Sequence, residues 1–533
     1  MKDIWAKYQE CDDYLLKKNI TKKTNEQWNF YSDKQWEGLE SGGEVLPYFN
    51  FIKPIIKYKV STVCQNNITA NYSDLLARPE YDNFYKGMNE QFSANWERAN
   101  MDRVSWKAVK TGAIEGDSYT YFGNENMQDV DVLGEVDVLF GDEQCTDIQQ
   151  QPHLFIRERL LVKDIREIAR ENGLDEYEIN SITADADKDY LVGNKDDVDE
   201  NSKATCVRYY EKIDGVVHMA RACKDCEFVP FHPIKRVLDD EFVGEGLKYY
   251  PIVQFRWEDL PNNARGLSEV RTHIPNQIKE NQVLAQRAIT VQQCAFPKIA
   301  YDSSAVMNPD DLDVVGGKIE VQAGNAQRVN DMVSYLNPAT IANDAMNLST
   351  DLREVTRELA GASETALGQI NPTRVAASAI TALNANAAVN INEQISKYVQ
   401  YVEDIARLWL PLQKVFAPDQ LEDSGLTAQE IDSLEPDIRI DVSQDTAWTK
   451  EAMKEALDML LDKGHLTFEE YVNVLPQNTP VPVNDLKRVL AERSINNGMS
   501  NLPEGNVLGQ SSGGQGMGGM YEPEMSTLPD SGI

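Results

Sequence analysis

Four groups of residues have types and spacings that could do chemistry, and each is incomplete. Cys223-Lys-Asp-Cys226 has the gap of half a zinc knuckle, which holds a tetrahedral ion only when a second ligand pair supplies four donors. The nearby donors Cys206, His218 and His232 lack that spacing, so the pattern reads as a hairpin turn with two free thiols. Asp185, Asp187 and Asp189 imitate the first three ligands of an EF-hand loop. Tyr190, however, stands where the sharp turn needs glycine, and Asp196 stands where the loop needs a bidentate glutamate, so a solvated loop is expected. Gly316-Gly317-Lys318 is followed by Ile319 and lacks the upstream glycine of a phosphate-binding loop, which leaves a β-turn. Asp310-Asp311 and Asp142-Glu143 could gather Mg²⁺ for a nuclease, yet such pairs arise by chance in a chain this acidic. With five histidines (153, 218, 232, 273, 465) and no GxSxG or HExxH, no hydrolase triad or zincin can be assembled. The expectation is a protein with no catalytic residues, no metal and no cofactor.

The elements that would position any site carry more information. The 533 residues hold 52 Lys+Arg against 86 Asp+Glu, a formal charge of −34. A surface that wraps phosphates is electropositive, so contact with DNA or an anionic membrane must be local or weak. A hydrophobic fraction of 41% supports a large core, and the length suggests roughly three or four domains of about 150 residues. No run of about 18 apolar residues and no signal peptide is present, so no membrane contact and a cytoplasmic site of synthesis are expected. Seven scattered cysteines (11, 64, 145, 206, 223, 226, 294) suit free thiols.

The pattern predicts an α+β chain. The first hundred residues, with Trp5, Trp28, Trp36, Trp96 and the cluster Tyr48, Phe49, Phe51, read as helices around a short strand. From about 104 to 260 the pattern is β-like, with a helix near 162–172 and an exposed Asp/Lys-rich loop at 184–201. From Gly266 to Leu410 long helices dominate, interrupted by a β-like stretch at about 297–336. A β pattern follows at Ile438 to Val442, then three short helices to about 494, then a Gly/Ser/Met-rich tail from Asn496 with too little apolar content to order itself.

Helix spacing is the sharpest signal. After Asn337-Pro338, apolar residues fall at Ile341, Ala345, Leu348, Leu352, Val355 and Leu359, alternating steps of four and three that make a coiled-coil-like seam. Asn337 reads as N-cap, Pro338 as first helical residue and Gly361 as the stop. An earlier helix, capped by Ser268 and running to about Cys294, contains Pro275, which predicts a kink or break near Ile274. Its amides Asn276, Gln277, Asn281, Gln282, Gln286, Gln292 and Gln293 suit helix-to-helix packing with water on one side. A third helix begins near Asn371-Pro372 and runs to about Leu410 with apolar positions Ala388, Ile391, Ile395, Tyr398, Val402, Ile405 and Trp409. At roughly 60 Å it needs company along its length. Gly464 reads as a helix stop, and Thr467 with Glu470 as a capping box.

The order of parts resembles the portal proteins of long-tailed double-stranded DNA phages. The resemblance covers about 30 to 495. It is carried by Tyr249-Tyr-Pro-Ile-Val-Gln-Phe leading to Leu260-Pro-Asn-Asn-Ala-Arg-Gly-Leu-Ser268 and the helix to Cys294, the β-like module after Pro297-Lys298-Ile299, the helix from Asn337, the loop Gly361-Ala-Ser-Glu-Thr-Ala-Leu-Gly368 before the long helix, and Gly112-Ala-Ile-Glu-Gly116-Asp-Ser-Tyr119 upstream. It implies an N-terminal arm (1–45), an α+β wing (46–265), a first stem helix (266–295), a small β-rich clip (296–337), a second stem helix (338–360), a tunnel loop (361–373), a long tunnel helix (374–412), a wing return strand (413–448), a helical crown (449–495) and a disordered tail (496–533).

The resemblance further implies a ring of twelve subunits at one capsid vertex that conducts double-stranded DNA during genome packaging and ejection. The ring would be assembled in the bacterial cytoplasm and carried in the virion. Its expected partners are the terminase large subunit, a head-tail adaptor, and the major capsid and scaffolding proteins. Gln369, Asn371 and Arg374 would face DNA, Arg374 otherwise pairing with an acid such as Glu364. Lys298, Asp310, Asp311, Lys318 and Glu320 would lie in the clip where motor and adaptor dock, and Ile341, Leu348, Leu352, Val355 and Leu359 would form the stem seam. Two other readings stand beside it: another virion connector or minor capsid protein, and a metal-dependent nuclease using the acidic pairs.

Overall fold

The computed structural model describes residues 2–36, 46–65, 67–123, 129–185, 203–238, 241–244, 246–295, 299–314, 318–322, 328, 333–336, 343–361, 391–418, 438–445, 456–465, 467–468 and 471. The elements in chain order are α1 (Lys2–Lys17), α2 (Ile20–Tyr31), α3 (Ile52–Val63), β1 (Asn67–Asp74), α4 (Asp82–Arg98), α5 (Met101–Glu115), β2 (Asp117–Phe122), β3 (Val130–Leu133), β4 (Val138–Phe140), β5 (His153–Leu161), α6 (Val162–Glu171), α7 (Glu176–Ser181), β6 (Lys203–Ile213), β7 (Val216–Cys223), β8 (Glu227–Pro233), β9 (Arg236–Leu238), β10 (Glu241–Val243), β11 (Ile252–Arg256), α8 (Glu269–Ala295), β12 (Ile299–Tyr301), β13 (Val333–Tyr335), α9 (Asn343–Leu359), α10 (Asn392–Phe416) and β14 (Ile438–Asp445). The chain is α+β.

Two antiparallel sheets carry the β-rich part. One is five-stranded, β4-β5-β6-β7-β8, and the other has the order β11-β2-β3. Alternation along β4 to β6 divides the five-stranded sheet between two packings. Phe155, Val207 and Tyr209 meet Tyr8, Leu15 and Ile20 of α1 and the start of α2, while Leu154, Ile156 and Tyr210 join the main core. That core surrounds Trp257, Tyr119, Tyr250 and Tyr401, all fully buried. The β-like pattern read from residue 104 begins later than expected: Met101–Glu115 is helix, its buried Ser105, Ala108, Val109, Gly112 and Ala113 keeping helical spacing, and strand begins at Asp117.

Segments distant in sequence close this core. β1 pairs antiparallel with β14, from Asn67↔Asp445 to Asp74↔Ile438. Tyr72 donates its hydroxyl proton to the Ala406 carbonyl (2.6 Å), and the Thr120 and Tyr401 hydroxyls lie 2.5 Å apart. The chain therefore leaves the core at α8 and returns to it at α10. The long helix differs from expectation at both ends. It starts at Asn392, with Ile391 at φ −116°, ψ −5° as its cap, and continues through Pro411 to Phe416. Asn390-Ile391-Asn392 combines poor helix formers at the start, and residues 374–390 lie outside the described ones. Ile391, Tyr398, Val402, Ile405 and Trp409 are buried as the spacing predicts.

The chain divides into two compact units, 1–445 and 446–533. In the second, residues 456–462 are helical, and Gly464 (φ +70°) ends the helix as expected. Tyr471 donates to Asp458 Oδ1 at 2.6 Å. Glu470 of the expected capping box, the other short helices and the tail lie outside the described residues.

Candidate functional site

The excursion from the core starts at a tightly specified joint. Gly266 passes so close to Gly116 that a Cβ on it would stand 2.4 Å from the Gly116 carbonyl oxygen, and Gly116 itself has φ +118°. Only glycine meets both demands. Ser268 caps α8, its Oγ accepting from Arg271 N–H (3.2 Å) and donating to the Ile114 carbonyl (2.5 Å). The cap therefore also pins the helix to the end of α5. Glu269, at the first helical position, accepts from Lys59 Nζ (2.6 Å), Trp257 Nε1 (2.9 Å) and His273 Nε2 (2.9 Å). Burial raises its pKa, but the hydrogen bond from His273, the charge and hydrogen bond of Lys59 and the hydrogen bond from Trp257 outweigh that and bring it down to about 2. A carboxylate at a helix N-terminus also gains from the helix dipole.

From there α8 runs 27 residues, about 40 Å at 1.5 Å per residue. Of the expected kink or break at Pro275, the break is not realised: the helix runs continuously through it. Its amides pack as expected, with Gln277 and Asn281 buried on one side and Gln282 and Gln286 exposed on the other. Gln277 is fully buried, accepts from Phe51 N–H (3.1 Å) and donates to the Phe49 carbonyl (2.8 Å) and to Asn281 (2.9 Å). Asn281 in turn donates to Gln35 (2.7 Å).

The returning helix α9 lies antiparallel against α8. Asn276 donates to Thr356 Oγ1 (3.1 Å), while Glu280, one turn on, accepts from Ser349 Oγ (2.8 Å) and from Arg353 Nε (3.1 Å). Glu280 is fully buried, so this is a polar clasp inside the helix pair. Gly361, at φ +69°, stops α9 as predicted.

Within one chain the clasp, not the expected seam, joins the two helices. The face of α9 that meets α8 is Ser349, Arg353 and Thr356, whereas Leu348 is 41% and Val355 51% exposed and Leu352 is half-buried. Within one chain, polar residues one position away have taken the seam's place. On α8, Ile278 (38%), Ile289 (41%) and Val291 (66%) are likewise exposed. The side chains of Ile341 and Leu359, and the cap Asn337-Pro338, lie outside the described residues.

Between the two helices the expected small β module is present: β12 pairs with β13, and Val306 bridges Val321. Asn308 ties its loops together, donating to Asp311 and to the Lys318 carbonyl (2.6 Å) and accepting from Glu320 N–H (2.7 Å). Asp310, Asp311, Lys318 and Glu320 thus share one exposed loop pair, near exposed Met307, Val314 and Ile319. Lys298, Gln369, Asn371 and Arg374 lie outside the described residues. Among the described residues no group of three or more His, Cys, Asp or Glu could hold a metal ion, and no helix is long and apolar enough to cross a membrane. Cys223 and Cys226 are buried thiols at a hairpin turn, 3.8 Å apart. Asp185 pairs with Arg159 (2.9 Å) and accepts from Thr205 N–H (2.6 Å), an anchoring role in place of the solvated one expected.

No protein-family profile matches this chain, and no curated protein matches it. Among solved structures, a chain of the "Virion of native gene transfer agent (GTA) particle" is similar over 79% of this chain and 89% of its own, at 8% identity and a TM-score of 0.30. A likeness at that score carries no weight for function.

Proposed function

We propose that this chain is a portal-like subunit that assembles into a closed ring of about twelve copies and conducts double-stranded DNA at one vertex of a capsid, without catalysing a reaction. The observation that carries the reading is the helix pair α8–α9. Its two members are held by a buried polar clasp and leave apolar side chains bare on both, Leu348 and Val355 on one face of α9 and Ile278 and Ile289 on one face of α8. Two different apolar surfaces on one subunit suit a head-to-tail contact, which closes into a ring when the rotation permits. The order of parts supports the same reading: α+β core, helix, small β module, returning helix, then a helix that re-enters the core.

In this reading α8 and α9 form the stem, and the Asn308-braced loops are the clip, facing terminase and later the head-tail adaptor. The loop with Gln369, Asn371 and Arg374 touches passing DNA. A charge of −34 per subunit keeps a duplex sliding, since a wall that binds few phosphates releases few counterions and grips weakly. The discriminating experiment is the double substitution L348D/V355D, at two side chains outside the buried core. The subunit is expected to keep its circular dichroism spectrum and lose its assembled state. An assembly that survives would remove the stem from the interface, and Mg²⁺-dependent cleavage of plasmid by the purified protein would overturn the non-catalytic assignment.

A further inference from the structure

A cleft of about 230 Å³ lies where α2, α5 and the segment before α8 meet, lined among others by Lys18, Gln27, Glu115, Glu135, Arg265 and Arg271. Its floor holds more acceptors than donors. Glu115 Oε1 accepts from Trp28 Nε1 of α2 (2.6 Å), and its Oε2 accepts from Glu135 N–H (2.6 Å). Gly134 is small by necessity here, since a Cβ on it would stand 2.6 Å from Glu115 Oε2. Arg265 is committed elsewhere, donating twice to Glu143 (both 2.9 Å) and to the Glu135 (2.6 Å) and Val138 (3.1 Å) carbonyls. Gln27 Oε1 and Asp117 Oδ1 are buried with no hydrogen-bond partner among the described residues.

The Thr24 hydroxyl of α2 reads out the protonation state. It has one proton, yet it stands 3.0 Å from the Ile20 carbonyl and 3.0 Å from Glu135 Oε2. Both contacts are hydrogen bonds at once only when Glu135 carries a proton and donates it to Thr24 Oγ1. We propose that Glu135 holds a proton at neutral pH and gives it to Thr24, which makes the seating of the α1–α2 hairpin on the rest of the fold dependent on that proton. Charge agrees with geometry. Glu135 faces Asp117 of β2, Glu115 of α5 and the Arg265–Glu143 pair. Asp137, held by Gly134 N–H (2.9 Å), lies behind Glu115 and near Arg157 and Lys107. Lys18, Lys23, Tyr14 and Arg271 line the cleft, and among the described residues none of them bonds to Glu115 or Glu135. Burial drives Glu135 well above the carboxylate range, with the Asp117 charge adding to it and Arg265 opposing it. Burial likewise pushes Glu115 up to about 8, against its two hydrogen bonds.

The sign comes from linkage. The seated hairpin binds a proton that the unseated one releases above the ordinary glutamate pKa, so seating weakens as pH rises from there toward the raised value. Hydrogen–deuterium exchange on the full-length protein tests this. After correction for intrinsic exchange, protection of the Ile20–Tyr31 amides is expected to fall about tenfold per pH unit between pH 6 and 8 for one released proton. Glu135→Gln, whose amide N–H replaces the carboxyl proton, should make that slope shallower by about tenfold per pH unit, any remainder being the proton of Glu115. A wild type with no excess slope, or a Glu135→Gln variant that keeps the full wild-type slope, overturns the proposal. Should the variant fail to fold, difference infrared spectroscopy of the wild type at pH 7 decides: a buried protonated-carboxyl carbonyl band is expected, and its absence overturns the proposal equally. The proposal stands whether or not the chain forms a ring.

Discussion

At the scale of single residues, the attachment of α8 rests on side chains that serve two elements at once. Glu269 collects three donors from three separate segments. Its pKa of about 2 against an ordinary value of 4.5 means that its contribution is complete above pH 4.5 and is lost as pH falls from there toward 2. The shift corresponds to about 3 kcal/mol. Glu269→Gln should therefore flatten the acid limb of a melting-temperature profile between pH 5 and 3. Ser268→Ala should cost about 1 kcal/mol for the cap, with a further loss because the Ile114 carbonyl is left unpaired; urea unfolding followed by circular dichroism would measure it. Ser268, Gly361 and Gly464 were legible in the sequence because a cap or a stop is a local property of one or two residues. Glu280, Glu135 and Glu115 were not. Their roles come from burial, and burial depends on partners such as Ser349 and Thr24 that lie 69 and 111 positions away.

At the scale of elements, the four-and-three spacing of α9 identified a stripe but not its occupant. Leu348 and Val355 have the spacing of a seam, yet the adjacent Ser349, Arg353 and Thr356 meet α8, because Glu280 and Asn276 on that helix require polar partners. Spacing shows which residues share a face, and only the facing helix decides which face is covered. Glu280→Ala should cost about 2–4 kcal/mol by leaving the buried Ser349 hydroxyl proton without its acceptor and by opening space in the clasp. Limited proteolysis should then cut first within the α8–α9 pair, while the five-stranded sheet stays protected. A proline removes one helical hydrogen bond, and α8 continues across Pro275 with Gln277 and Asn281 of the following turns bonded to Phe49, Phe51 and Gln35.

At the scale of the whole molecule, the α+β class and the long excursion from the core were legible, since both are carried by runs of many residues. The closure of that excursion was not. Nothing in the local pattern of Asn67–Asp74 announces that its partner is Ile438–Asp445, because a strand pair separated by more than 360 residues leaves no spacing to read. A core closed by such distant segments leaves α8, the β module and α9 as an arm whose exposed apolar side chains no described element covers, and a second copy of the chain is the simplest cover. Imaging the purified full-length protein by negative-stain electron microscopy, with its mass measured in parallel, tests that directly. A closed ring with an axial channel, near 0.7 MDa for about twelve copies of the 60.1 kDa chain, is expected of a heterologous contact that closes. A monodisperse 60.1 kDa monomer at high concentration, with those side chains still bare, would contradict it.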